Sequence, residues 1–393
     1  MLRVLTLSTL FPDVTRPNFG VFVEQQTLGL AAHPGVDLRV VAPIGLPPWP
    51  LAMHPRYRSF YAVPEEERWR GLPVLRPRFA IVPGTGGRFH AGGLARRLRP
   101  LLTALRQDFP FDVIDAEFFF PDGPAAVALG AHFGVPVSIK ARGADIHHWG
   151  AGPTARQVAR AGRHAGGLLA VSAAMKADMV ALGLPERAIR VHYTGVDLGR
   201  FALADRADAK RALGVAGPLV VSLGALIERK GHQLVVEAVA GLPGVSLLIV
   251  GEGPYRPALE AQIANRGLAG RVRLAGAVAH GDMPALLAAA EVMALASASE
   301  GLANAWVEAL ACGVPIVITP VGGAAEVVTR RDYGLIAKRT PGAFRAAIAD
   351  ILANPPAASA VRQGAMRFTW GANTAALADH LREIALKSPQ TPG

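Results

Sequence analysis

The sequence predicts an α/β protein built from two doubly wound parallel-sheet domains. Apolar strand-like runs alternate with helical stretches along nearly the whole chain, the pattern that packs helices on the faces of a parallel sheet. At 393 residues the chain is long for one hydrophobic core, so two domains of ordinary size are expected. The alternation breaks near residues 195–216, where GVDLGRFALADRADAKRALGVAG turns polar and loop-like and reads as a join.

In the first half, strands are expected at RVLTLS, DLRVVAP, FDVIDAE, VPVSIKA, GLLAVS and IRVHYTG, with helices such as FVEQQTLGLAAH and PAAVALGAHF between them. In the second half, PLVVSLGAL, VSLLIVGEG, RVRLAGAV, VMALAS and VPIVITP alternate with GHQLVVEAVAGL, YRPALEAQIANRGL and MPALLAAA. Residues 46–92 are rich in Pro, Gly and Arg and read as a long, partly irregular insertion. Long loops at the mouth of a sheet are commonly functional. The last residues, KSPQTPG, read as a frayed tail.

Composition narrows the class. Apolar residues make up 51% and charged residues 18%, a globular balance. The single cysteine, Cys312, excludes an intrachain disulfide and fits a reducing compartment. No apolar run reaches the roughly 18 residues of a membrane span, and the opening MLRVLTLSTLFPD reads as a buried strand instead of a secretory signal. A cytoplasmic protein is expected. The net charge is +11, with 23 Lys/Arg against 15 Asp/Glu in residues 1–200 and 11 arginines between Arg56 and Arg106. Such a surface attracts phosphate-bearing partners, although a solvated face explains the same count. Nucleic acid is not expected, because no reading motif is interleaved with the arginines.

Two open sheets of this kind place ligands at their strand carboxyl ends, here expected in a cleft between the domains. The richest segment is SASEGLANAWVEALACGVPIVITPVGG, residues 297–323. Glu300 and Glu308 stand on a glycine-containing turn and the short helix after it, so they reach one ligand from two sides. Backbone N–H groups at that helix start favour an anion. A cap and a surface charge would give the same pair of residues. The turn STLFPDVTRPNFG ends in Gly20, where the backbone can approach a phosphate or sugar closely. In GALIERKG, Arg229 and Lys230 precede a helix and are placed to neutralise a diphosphate leaving group.

IVGEGPYR begins like a dinucleotide fingerprint but has Arg256 where its third glycine would fall, which disfavours nicotinamide or flavin. Gly251 and Gly253 are left as a tight turn beside a nucleotide. RGADIHHW gathers Arg142, Asp145, His147 and His148, where Asp145 is positioned to accept a hydroxyl proton or anchor a substrate hydroxyl. No further ligand group stands at zinc-like spacing from the histidines, and no Asp-x-Asp pair occurs. No metal is expected. Cys312 reads as a packed small residue.

Taken in order, the glycine loop, VHYTGVD, GALIERKG, IVGEGP and SEGLANAWVEALACGVPIVITPVGGAAE resemble the family-4 retaining glycosyltransferases of the glycosyltransferase B fold, with two Rossmann-like domains. TLFPDVTRPNFGVFVEQQ and FFFPDGPAA are similar to the teichuronic-acid and exopolysaccharide branch. The resemblance implies an acceptor domain over residues 1–200, a donor domain over 201–368, and a helix crossing back to the first domain within 369–393. It implies a nucleoside-diphosphate sugar donor, no cofactor and no required metal, and a glycan or lipid-linked acceptor.

By the same resemblance Glu308 holds the ribose hydroxyls and Glu300 lies near the donor sugar. The backbone of Gly301, Leu302, Ala303 and Asn304 contacts sugar and phosphate. Arg229 and Lys230 stabilise the departing diphosphate beside Gly224, Gly251 and Gly253. Gly20 lets the first loop close over the donor, and Asp145 lies near the reacting centre or acceptor. Two positions depart from the family pattern. Ala225 stands where many relatives have arginine, so a diphosphate contact is lost or is supplied by Arg229. Arg142 stands where many have histidine, and no role is assigned to it. A non-catalytic nucleotide-sugar-binding subunit and a two-domain dehydrogenase remain as rival readings. The basic first half adds the expectation of peripheral contact with anionic membrane.

Overall fold

The structure is a computed structural model in which residues 1–387 are described. It divides into two compact units, Met1–Tyr193 together with the chain from Trp370 onward, and Thr194–Thr369. The expected tail beyond Lys387 lies outside the described residues.

The first unit contains strands β1 (Leu2–Leu7), β2 (Val36–Val41), β3 (Ile44–Leu46), β4 (Glu66–Trp69), β5 (Leu72–Leu75), β6 (Arg78–Ala80), β7 (Val113–Ala116), β8 (Val137–Ala141), β9 (Gly167–Ala170) and β10 (Ile189–Val191). Eight of them form one sheet in the order β10-β9-β8-β7-β1-β2-β5-β4, while β3 and β6 make a separate ribbon. All neighbours are parallel except β4 and β5. Strand order reverses between β1 and β7. With right-handed crossovers, that reversal sends successive helices to opposite faces. Helices His90–Asp108, Asp122–Phe133 and Ala155–His164 pack together, and Val21–Ala31 packs with the last helix, Trp370–Lys387. Leu377, Ala378, Leu381 and Ile384 of that last helix are buried in the same core as Val4, Val23, Val40 and Val113.

The second unit repeats the plan with β11 (Leu219–Leu223), β12 (Ser246–Val250), β13 (Val272–Gly276), β14 (Val292–Leu295), β15 (Ile316–Ile318) and β16 (Gly334–Ile336). Its sheet is wholly parallel, in the order β13-β12-β11-β14-β15-β16. Strands β11 and β14 are buried throughout, as expected of central strands covered on both faces. The reversal falls between β11 and β14, so their outgoing loops lie side by side at the switch point of the sheet.

One expectation is extended and one corrected. The insertion at 46–92, expected to be partly irregular, also supplies strands to the main sheet: β5 joins it beside β2, and β4 closes its edge. Pro73 and the charged run Glu65–Glu67 hid a strand whose Leu72 and Val74 alternate into the core. The polar join contains the helix Arg206–Leu213, with the Asp205 side chain accepting from the Asp208 amide at 2.8 Å and Gly214 ending the helix in a left-handed conformation. An Asp cap and a terminal glycine are ordinary helix boundaries.

Candidate functional site

The second unit brings together most of the residues singled out in the sequence. The loop after β11 runs through Gly224, Ala225 and a short turn at Glu228–Lys230, then starts the helix His232–Ala240. The loop after β14 carries Glu300 and starts the helix Asn304–Ala311. The loops are bound to each other. Lys230 Nζ meets Glu300 Oε1 at 2.5 Å, Ala298 N donates to Arg229 O at 2.8 Å, and Arg229 Nη1 donates to Ser299 O. Ser297 Oγ donates to the same Glu300 oxygen at 2.7 Å. The Lys230 and Glu300 side chains are only 16% and 10% exposed, so the pair is far better shielded from water than a surface ion pair.

Both helices begin without a side-chain cap. Their first amides receive no side-chain cap among the described residues, and both starts lie at the switch point. That arrangement attracts an anion. Two glycine turns complete the floor. A Cβ on Gly251 would lie 1.9 Å from Gly224 O, and one on Gly253 would lie 2.4 Å from Leu226 O. Gly251 (φ 142°) is held by this backbone packing, so loop contact already explains why glycine is needed there. Behind the Glu300 turn, Gly323 N donates to Gly301 O at 2.8 Å.

Glu308 projects from the second turn of its helix and is 15% exposed at the side chain. Its Oε1 is 2.8 Å from Nε2 of His280, a residue in the loop after β13. Sequence reading missed His280, because its link to Glu308 depends on β13 and β14 belonging to one sheet. Cys312, one turn beyond Glu308, is buried, and desolvation with the nearby Glu308 charge pushes its thiol up to about 12. It is a packed residue.

The first unit holds the other two expected site residues. Gly20 begins the helix Val21–Ala31 in a left-handed conformation, and a Cβ there would lie 1.6 Å from Leu10 O. Asp145 corrects its expected role. It is wholly buried, Oδ1 accepts from Gly143 N at 2.7 Å and Ile146 N at 3.2 Å, and Oδ2 accepts from Phe119 N at 3.0 Å. Arg142 N lies 3.0 Å from both oxygens. Burial holds its carboxyl above the usual range, although the backbone amides pull the other way. A carboxylate so enclosed fixes the turn after β8 and cannot touch a substrate. Arg142 binds the Glu117 carboxylate and stacks over Phe22, with its guanidinium carbon 4.9 Å from the ring centre.

Comparisons with known proteins agree with this architecture. The model described as "Glycosyltransferase Family 4" matches residues 20–200, and "Glycosyl transferases group 1" matches residues 205–368. The Bacillus subtilis protein named as the teichuronic acid biosynthesis glycosyltransferase TuaC is 28% identical over 88% of each chain. A GDP-mannose-dependent phosphatidylinositol monomannoside mannosyltransferase of Mycolicibacterium smegmatis is 34% identical over 45% of this chain and 50% of its own. Among solved structures, Anabaena HepE in complex with UDP superposes with a TM-score of 0.75 at 20% identity, covering 97% of this chain and all of that one. Sucrose-phosphate synthase of Thermosynechococcus elongatus gives 0.79 at 20% identity, over 99% and 100%. These two likenesses establish the glycosyltransferase B fold.

Proposed function

Since the chain belongs to the glycosyltransferases described by the group 1 and family 4 models, we propose that it moves a sugar from a nucleoside-diphosphate sugar to an acceptor hydroxyl with retention of configuration, without a metal, in cell-surface or exopolysaccharide biosynthesis. One observation carries the reading: a shielded Lys230–Glu300 pair between two uncapped helix starts at the switch point of the second sheet. UDP and UDP-glucose are the ligands in the HepE structures, which supports the same donor class here.

In the reaction, the acceptor oxygen bonds to the sugar's anomeric carbon on the face from which the diphosphate leaves. The bond between that carbon and the phosphate oxygen breaks, and the acceptor proton passes to the leaving phosphate. Negative charge grows on the diphosphate. Lys230 and the two helix starts would neutralise it, and Arg229 would join them by turning from Ser299 O. Glu300, released from Lys230 by the incoming phosphate, turns to the sugar hydroxyls, and Glu308 grips the ribose.

A panel of UDP-, GDP- and ADP-sugars, with and without EDTA, tests the proposal. We expect transfer, or slow donor hydrolysis, with one base and no loss on chelation. Nucleotide binding without either reaction would favour a non-catalytic binding subunit.

We also propose a lipid-linked acceptor reached from an anionic membrane. Ribbon β3–β6 ends in Leu46 paired with Ala80, and Ile81 N donates to Leu46 O at 2.9 Å. From that end the chain presents Trp49 (80% exposed), Leu51, Met53 and Val82, with exposed Phe89 opening the helix His90–Asp108. Arg58, Arg88, Arg96 and Arg97 are exposed in the same stretch. Aromatic and aliphatic side chains among arginines suit insertion at an anionic interface. Vesicles containing phosphatidylglycerol should co-float with the protein at low salt, and Trp49→Ser/Leu51→Ser/Met53→Ser should cut the bound fraction about tenfold. Equal flotation with neutral and anionic vesicles would defeat the idea. Among the described residues no helix is long and apolar enough to cross a membrane.

A further inference from the structure

We propose that His280 is a positioning residue for the donor: it fixes the carboxylate of Glu308 so that one oxygen is committed to the imidazole and the other is presented to the ribose. The inference rests on the ribose reading of Glu308. His280 Nε2 is 2.8 Å from Glu308 Oε1, and no hydrogen bond to Oε2 occurs among the described residues. The imidazole is held in turn. Its ring centre lies 5.4 Å from that of Phe201, which is itself 1% exposed, so the ring rests against a fixed wall.

The hydrogen-bond pattern assigns the tautomer. Glu308 can only accept, so Nε2 carries the proton. Nδ1 is buried and has no hydrogen-bond partner among the described residues, so the ring's one polar contact is the bond to Glu308. The Nε2 donor engages Oε1 and so orients the carboxylate, leaving Oε2 an acceptor for paired hydroxyls. Without His280, the partly buried Glu308 side chain would sample other rotamers and would pay their entropy on binding.

The role predicts a ribose-dependent defect. His280→Phe keeps the aromatic packing on Phe201 and removes the donor. Its affinity for the nucleoside diphosphate should fall about tenfold, with donor KM rising and kcat changing little, while His280→Gln, whose amide can donate to Glu308, should recover most of the loss. The decisive readout uses UDP, GDP and ADP beside their 2′,3′-dideoxy counterparts in calorimetry, with the tightest-binding base carrying the comparison. Wild type should prefer the ribonucleotide, and His280→Phe should lose most of that preference while binding the dideoxy form as well as wild type does. A preference kept intact in His280→Phe, or an equal loss for both nucleotides, overturns the positioning role alone. No ribo-over-dideoxy preference in wild type overturns the ribose assignment of Glu308 and the proposal with it. His280→Gln, melting as wild type does, guards against a variant that merely misfolds.

Discussion

Lys230→Ala is expected to lower kcat/KM for the donor a hundred- to a thousandfold, roughly the loss that follows removal of one preorganised charge-stabilising group. The melting temperature should move little. The lysine stands on a 3₁₀ turn at the switch point, and its ammonium is 2.5 Å from Glu300. In the absence of donor, that contact and the Ser297 hydroxyl satisfy the carboxylate. Loss of Lys230 leaves Glu300 with Ser297 and partial access to water, a cost of about 1 kcal/mol, or about 2–4 °C. In turnover the same ammonium faces the diphosphate, where charge develops only as the bond breaks. Its removal should therefore depress kcat more than it raises KM. Glu300→Gln should also slow turnover. If each acts on the donor through the other, the double variant should be no worse than the poorer single one. Either single variant turning over within threefold of wild type would remove the pair from the mechanism.

Much of this site was legible because its residues lie in short contiguous motifs. Arg229 and Lys230 lie in the loop after β11, and Glu300 and Glu308 bracket one turn and the start of one helix. Strand-end loops in a parallel sheet converge by construction, so their order along the chain was enough to bring them together. The central strands were visible for a related reason: β11, β12 and β14 are almost entirely buried and carry no competing pattern. The edges were not. Strand β5 is four residues with a proline, β16 is three residues beginning in glycine, and both are strands only because a neighbour offers them a ladder. His280 escaped notice because nothing in AHGDMP announces a carboxylate 28 residues away. The role of Ala225 also depends on space. The diphosphate contact was expected to be lost or to be supplied by Arg229, which is bonded to Ser299 O and ties the Glu300 loop in place. A diphosphate contact would require it to turn.

Asp145 marks the limit of motif reading, and its replacement should separate structure from chemistry. Its position on a glycine turn after β8 made it look like a reacting carboxylate. The folded chain instead buries it at 0% exposure among the amides of Phe119, Arg142, Gly143 and Ile146. Asp145→Ala strips the acceptors from these amides at a site closed to bulk solvent. Each buried amide left unpaired costs about 1–3 kcal/mol. Partial relaxation of the turn brings the expected total to about 3–5 kcal/mol, a drop of about 10 °C or more for a unit of this size. Asp145→Asn retains the shape and one acceptor oxygen but sets an NH₂ group against backbone donors, so an intermediate loss is expected. The informative quantity is turnover per folded molecule, measured well below the melting transition. For Asp145→Asn it should stay within about threefold of wild type, because the carboxylate reaches no ligand. A hundredfold loss of kcat with an unchanged melting curve would return Asp145 to the reacting centre. The expected result is the inverse of that for Lys230, whose loss spares the fold and removes the chemistry.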